Sequence, residues 1–186
     1  TLDRVDTIAD GTAVKTPGEN IFPYLQENLD DIITIEDDEL IVAFLDVLEN
    51  HKLLVENSGL LTVAALKHLP AENKKVVSIL SGGNMDIITL SSVVQNGLIQ
   101  RSRIFTVSVR LPDVPGQLNK VSGVIADAKG NVIKLEHNQF ISVNRNSSVE
   151  LIITMEAFGE EHKKSIIQAL RNAGFEPEER NPRALY

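Results

Sequence analysis

Residues 105–118 read FTVSVRLPDVPGQL and contain, in direct succession, a strand pattern, a turn and the start of a helix. The apolar residues of the strand pattern alternate with polar ones, as in a β-strand with one buried face: Phe105, Val107, Val109 and Leu111. Residues 112–116 include two prolines and a glycine, which predicts a turn. The following apolar residues recur at helical spacing: Leu118, Val121 and Ile125. These residues predict a β–turn–α unit, with the helix ending near Gly130.

The rest of the C-terminal half completes this unit. Alternating apolar residues predict two further strands, at residues 133–137 and 149–155. A helix is predicted over residues 160–173 and is closed by Gly174, a residue type favoured just past a helix C-terminus. Residues 175–177 add a possible last edge strand. The order βαββαβ predicts a ferredoxin-like fold.

The N-terminal half follows a different pattern, in which short apolar runs alternate with helical ones. Strands are predicted at residues 32–35, 53–55 and 76–80, and helices after Asp37, Ser58 and Asn84. Ser58 and Asn84 are candidate helix caps. Such alternation indicates a mostly parallel sheet covered by helices. We therefore predict an α/β protein with two domains, residues 1–100 and 101–186.

Composition excludes several classes of partner and site. The formal net charge is −8 and the 18 Lys and Arg residues are scattered, which disfavours nucleic acid and anionic membranes. There is no cysteine, so disulfides and thiolate metal sites are excluded, and a reducing cytoplasm fits. The four histidines never occur at metal-ligand spacing, so no metal site is expected. No apolar run approaches the roughly 20 residues that cross a bilayer.

Three segments of the N-terminal half resemble the fold-type II pyridoxal-phosphate enzymes, in particular the threonine and serine ammonia-lyases. They are Ile8-Ala9-Asp10-Gly11-Thr12-Ala13-Val14 with Pro17-Gly18, Val55-Glu56-Asn57-Ser58-Gly59, and Leu80-Ser81-Gly82-Gly83-Asn84. The C-terminal half resembles an ACT domain through Leu111-Pro112-Asp113-Val114-Pro115-Gly116 and through His137-Asn138 followed by Val149-Glu150. Together the two resemblances cover nearly the whole chain.

The resemblance implies a site for pyridoxal 5'-phosphate. Ser81 follows a predicted parallel strand, where open α/β sheets place ligands, and its hydroxyl would bond the pyridine nitrogen. Gly82 and Gly83 would let the backbone approach the ring, Gly11 would line its edge, and Glu56 would reach its side. The alternatives are an ordinary turn at Ser-Gly-Gly-Asn and a solvated strand end at Glu56.

Two parts of such an enzyme are missing from the sequence. None of the ten lysines lies in a Ser-Phe-Lys-x-Arg setting, and Gly82-Gly83 is too short for a phosphate-binding glycine loop. Without a Schiff-base lysine the covalent chemistry has no anchor. We therefore expect a C-terminal fragment, inactive alone, which agrees with a first residue Thr1. The intact enzyme would convert L-threonine to 2-oxobutanoate and ammonia, with L-serine as the alternative substrate.

The ACT resemblance implies regulation by an amino acid bound where two domains pair side by side, and hence a homo-oligomer. Helix N-terminal amides would receive the ligand carboxylate. The implied residues form a loop and a facing strand: Asp113, Pro115, Gly116, Gln117 and Leu118, opposite Asn131 and Val132. Isoleucine or valine would suit such an effector. The alternatives are a tight turn in a domain that serves only assembly, or a stand-alone amino-acid-binding module.

Overall fold

The computed structural model describes residues 1–70, 73–138 and 149–181. The chain divides into two compact units, Thr1–Gly97 and Leu98–Tyr186. The division falls within a helix, α4, which spans Ile87–Gln100. No helix of the described ranges is both long and apolar enough to cross a membrane.

The second unit is a four-stranded antiparallel sheet with two helices. Its strands are β1 (Ile104–Leu111), β2 (Asn131–Asn138), β3 (Val149–Glu156) and β4 (Pro177–Arg180). The helices are α5 (Gln117–Asp127) and α6 (Glu160–Asn172). The strand order is β2-β3-β1-β4, so β1 and β3 are central. The predicted βαββαβ order and the α/β class are confirmed.

The core of the second unit lies between one face of this sheet and both helices. It contains the predicted alternating residues of β1 together with every second residue of β3 and the apolar faces of the helices: Phe105, Val107, Val109, Leu111, Leu151, Ile153, Met155, Val121, Ile125, Ile166, Ile167 and Leu170. Burying each such side chain stabilises the fold by about 1.5–3 kcal/mol. This packing holds the turn between β1 and α5 against the end of the sheet.

Two strands differ from the predicted half-buried pattern. In β1 the polar residues Thr106 and Ser108 are buried as well, because β1 is central and Arg180 of β4 reaches over Ser108. In β2 the apolar residues Ile133 and Leu135 are 40% and 37% exposed. This strand lies at the sheet edge and has a register shift between Val132 and Lys134, so its apolar side is left uncovered.

The first unit contains helices α1 (Phe22–Asn28), α2 (Asp37–His51), α3 (Leu61–Ala64) and most of α4. Helix α2 begins as predicted after residue 36, where Glu36 and Glu39 form a reciprocal capping box. Single 3-10 turns span Asp10–Thr12, Asn57–Leu60 and Ala65–His68. The core gathers around α2 and includes Leu40, Phe44, Leu45, Leu60 and Val93.

The parallel strands predicted for the N-terminal half do not form among the described residues of Thr1–Gly97. Isolated hydrogen bonds instead connect residues 79–82 to residues 56–62. Glu56 N donates to Gly82 O at 3.3 Å, and Thr62 Oγ1 donates to Ile79 O at 2.9 Å. A strand needs a paired neighbour in register. Val77 and Ile79 are 89% and 72% exposed.

Both predicted helix caps are wrong. Ser58 lies inside the turn Asn57–Leu60, and its hydroxyl has no hydrogen-bond partner. Asp86, rather than Asn84, caps the N-terminus of α4. Its carboxylate accepts hydrogen bonds from Ile88 N and Thr89 N.

Candidate functional site

The second and third motif segments meet at Gly82. The Glu56 carboxylate occupies the space beside its α-carbon, so a β-carbon at this position would lie 2.1 Å from Glu56 Cδ. Gly82 also has φ of +77°, in the left-handed region. The left-handed backbone favours glycine, and a larger residue would have to displace the Glu56 carboxylate. The structure thus brings together two predicted cofactor residues that are far apart in sequence.

The first motif segment reaches the same place through Gly11. We call this meeting point of the three segments, at Gly11, Glu56, Ser58 and Gly82, the corner. A β-carbon there would lie 2.8 Å from Ser58 Oγ and 3.7 Å from a Glu56 carboxylate oxygen. Asn57 Nδ2 donates to Ile8 O at 2.9 Å, and Asp37 accepts from Ile8 N at 3.1 Å. These bonds tie the N-terminal segment to the turn Asn57–Leu60 and to α2.

Gly59 and Gly83 differ in their steric role. A β-carbon at Gly59 would lie 1.6 Å from Ser81 O, so the Ser81 backbone passes directly over this glycine. A β-carbon at Gly83 would meet only Leu54 O at 3.8 Å, an ordinary contact. Ser81, Gly82 and Gly83 are exposed. Sequence reasoning did not single out Gly59 as a site residue, although it lies within a quoted motif.

Two buried polar atoms in this corner have no hydrogen-bond partner among residues 1–70, 73–138 and 149–181: Asn57 Oδ1 and Ser58 Oγ. An unsatisfied buried polar atom costs about 1–3 kcal/mol, so each one needs an explanation. A ligand in the corner would supply partners. The predicted residues Gly11, Glu56, Ser81, Gly82 and Gly83 include no cation, so they fit the ring of pyridoxal phosphate and not its phosphate group.

The loop between β1 and α5 borders a cavity of about 310 Å³. Five of the seven predicted effector residues line it: Asp113, Pro115, Gly116, Gln117 and Leu118. Gly116 is the N-cap of α5 and has φ of +90°, with open space where a side chain would be. The cavity wall also includes His137 of β2. That histidine was quoted only as part of the ACT resemblance, and the direction of β2 explains why it lies here.

Within one chain, Asn131 and Val132 lie away from this loop. β2 runs antiparallel to β3, and its first residue lies opposite Glu156, at the far end of the sheet. Asn131 Nδ2 donates to Glu156 Oε2 at 2.7 Å. The two groups of predicted residues can share a ligand only if they come from two chains.

Two known families match the two halves of the chain. Residues 1–82 match the pyridoxal-phosphate dependent enzymes, and residues 105–175 match the ACT domain. The predicted resemblance to these two families is therefore confirmed, each over its own part of the chain.

Some relatives that are similar over both parts of this chain are named threonine ammonia-lyase or threonine dehydratase. The chain is 37% identical over 171 residues to the L-threonine ammonia-lyase of Geobacter sulfurreducens, covering 91% of this chain and 42% of that protein. It is 30% identical over 179 residues to the biosynthetic L-threonine dehydratase of Pasteurella multocida, covering 94% of this chain and 34% of that protein. The chain is also 33% identical to a solved threonine deaminase from Solanum lycopersicum. The match covers 51% of this chain and 29% of that one, with a TM-score of 0.46. The chain therefore spans less than half the length of these relatives.

Proposed function

We propose that the whole protein containing this chain is a pyridoxal-phosphate-dependent threonine ammonia-lyase, which converts L-threonine to 2-oxobutanoate and ammonia. The observation that carries the proposal is the meeting of the three motif segments around Gly82 and Glu56. Relatives similar over nine-tenths of this chain support it, since they are named for this reaction. On this proposal the described corner holds the cofactor ring, and the remaining residues of the protein supply its phosphate site and lysine.

Each residue of the corner has a defined task in this proposal. Pyridoxal phosphate, when bound, supplies an electron sink for loss of the α-proton. The Ser81 hydroxyl bonds the ring nitrogen without transferring a full proton to it. Gly82 and Gly11 let the Glu56 and Ser58 side chains lie close to the backbone of the other two segments, and the ring would give the Ser58 hydroxyl a hydrogen-bond partner.

The test uses the full-length protein and this chain side by side, with 2-oxobutanoate formation as the assay. We expect turnover of L-threonine by the full-length protein and none by this chain. Ser81→Ala should lower kcat about tenfold to a hundredfold and alter the absorbance of the bound cofactor, because one charge-tuning hydrogen bond is lost. Ser165→Ala, at an exposed serine of α6, is the matched control. Turnover of L-serine alone, with formation of pyruvate, would assign the serine ammonia-lyase instead.

We further propose that the loop cavity binds an aliphatic amino acid as an effector, at an interface between two copies. Its wall includes Leu111, Val114, Val149 and Leu151, which suits a branched apolar side chain. The first amides of α5 suit the carboxylate. The exposed apolar residues of the β2 edge favour pairing with a second chain, which would bring Asn131 and Val132 to the ligand.

Calorimetric titration with isoleucine, valine and threonine tests this second proposal. Saturable binding of an aliphatic amino acid is expected, with loss in Gly116→Leu, because the new side chain enters the cavity from a strained backbone. Gly123→Leu, in the exposed middle of α5, is the matched control. Binding of isoleucine or valine that survives Gly116→Leu unchanged would contradict the assignment of the loop, and no binding of either would leave assembly as the task of this domain.

A further inference from the structure

The sheet face turned away from α5 and α6 has a polar hollow of about 260 Å³ at its centre. Its floor is formed by Thr106 of β1 and Thr154 of β3, which lie directly opposite each other in the register. Both threonines are at least 95% buried. Long charged side chains stand around them, so the hollow is concave. This volume is below the roughly 300–1,000 Å³ of drug-sized pockets and suits a small ligand.

The two floor hydroxyls have unused hydrogen-bonding capacity. Thr106 Oγ1 and Thr154 Oγ1 are 2.9 Å apart, so one O–H hydrogen lies between them. The second hydroxyl keeps its own hydrogen, and lone pairs remain on both oxygens. Within the described ranges no other bond is recorded for either hydroxyl. Buried hydroxyls in this state favour a ligand that can both donate and accept hydrogen bonds.

The rim carries two cations and two carboxylates, held in pairs. Lys134 Nζ lies 3.2 Å from a Glu136 oxygen, and an Arg180 nitrogen lies 3.0 Å from a Glu150 oxygen. Lys134 and Arg180 keep N–H donors for a further partner, although Arg180 also donates to Ser108 and lies 3.6 Å from Glu178, and each carboxylate keeps an oxygen. Because the four charges balance, the rim disfavours both a phosphate and a metal ion. It is complementary to a molecule that itself carries one positive and one negative group.

We infer that this hollow binds a free α-amino acid with a small polar side chain. The ligand carboxylate lies toward Lys134 and Arg180, and its ammonium toward Glu136 and Glu150. A side-chain hydroxyl completes the bonding of the threonine pair on the floor. Among the lining residues Ile152 alone is apolar, so the hollow differs from the apolar cavity of the β1–α5 loop. The inference rests on this geometry and not on the proposed catalytic activity.

Titration of this chain, labelled with ¹⁵N, by L-serine and L-threonine tests the inference, with NMR and calorimetry as readouts. Both amino acids should bind saturably, with the largest amide shifts at Thr106 and Thr154 rather than at residues 112–118. Thr154→Val keeps the shape of the side chain and removes the hydroxyl, and should weaken binding about tenfold. Glu136→Gln should do the same by removing a charge.

The controls separate this hollow from the other sites. Glu161→Gln matches Glu136→Gln at a side chain that is 92% exposed, and should leave binding unchanged. Gly116→Leu, which blocks the loop cavity, should also leave serine and threonine binding unchanged. The inference is overturned if a folded chain shows no saturable shifts at β1 and β3, or if Thr154→Val and Glu136→Gln bind both amino acids as tightly as the parent chain. Loss of the shifts in Gly116→Leu would overturn it too, by assigning the binding to the loop.

Discussion

Gly82 determines how closely the Glu56 and Ser81 segments approach, since its hydrogen occupies a place where a methyl group would overlap the Glu56 carboxylate. Gly82→Ala should destabilise the chain by roughly 1–2 kcal/mol from the left-handed backbone alone, with a further cost from displacing Glu56. Gly83→Ala is the matched control, because a β-carbon there makes only an ordinary contact with Leu54 O. Urea denaturation followed by circular dichroism measures both. Equal midpoints for the two variants would contradict the crowding at Gly82.

Glu39 gives the first unit an acid-dependent contact. Hydrogen bonds from Lys67, from Glu36 N and from His68 lower the pKa of its carboxyl from 4.5 to about 2. Because the pKa is lower in the folded chain, the stabilisation is full above about pH 4.5 and is lost as pH falls toward 2. Glu39→Gln should remove this part of the pH dependence, as seen in urea midpoints measured across that range. Glu19→Gln, at an exposed carboxylate, should keep it.

At the scale of the elements, local periodicity predicted the second unit well and the first unit only in part. The alternation in β1 and the helical spacing in α5 and α6 are properties of short segments, so they can be read from sequence. Strand formation at residues 76–80 depends on a paired neighbour, which the local pattern does not contain. Likewise, the residues of the β1–α5 loop lie together because they belong to one predicted turn. The positions of His137 beside this loop and of Asn131 far from it depend on the direction of β2, which local patterns do not contain.

The packing of α4 against α2 depends on Gly97. A β-carbon there would lie 2.5 Å from Leu45 Cδ1 and 3.3 Å from Ile41 Cγ2, and both neighbours are buried. Gly97→Ala should therefore cost about 1–3 kcal/mol by overpacking, which outweighs its better helix propensity of about 1 kcal/mol. Gly123→Ala, in α5 with open space around it, should instead stabilise by about 0.5–1 kcal/mol. Thermal unfolding of the two variants should show shifts of opposite sign; shifts of the same sign would refute the tight contact.

At the scale of the whole molecule, the two units differ in how much apolar surface they leave uncovered. In the first unit several large apolar side chains of residues 76–88 are mostly exposed: Val77, Ile79, Ile87 and Ile88, at 72–89%. Among the described residues of the second unit, the exposed large apolar side chains are fewer: Val114, Leu118, Val132, Ile133, Leu135 and Phe158. Large exposed apolar patches mark surfaces that contact another part of a protein. The share of the relatives that this chain leaves unmatched is long enough to provide such a part.

This difference predicts that the exposed apolar side chains of the first unit, and not those of the second, cause the chain to self-associate. A polypeptide of residues 98–186 has its own core and should unfold in one cooperative step, because its sheet and helices bury a continuous apolar cluster. The 186-residue chain should bind the dye ANS more strongly than this polypeptide and should associate at lower concentration. Fluorescence titration and sedimentation measure the two effects. Replacing Val77 and Ile79 with threonine should reduce dye binding and self-association in the whole chain. The same change at Ile166 and Ile167, which are buried in α6, should instead unfold the second unit and increase dye binding. If residues 98–186 bind the dye as strongly as the whole chain does, the apolar surface that binds the dye lies on the β2 edge and not in the first unit.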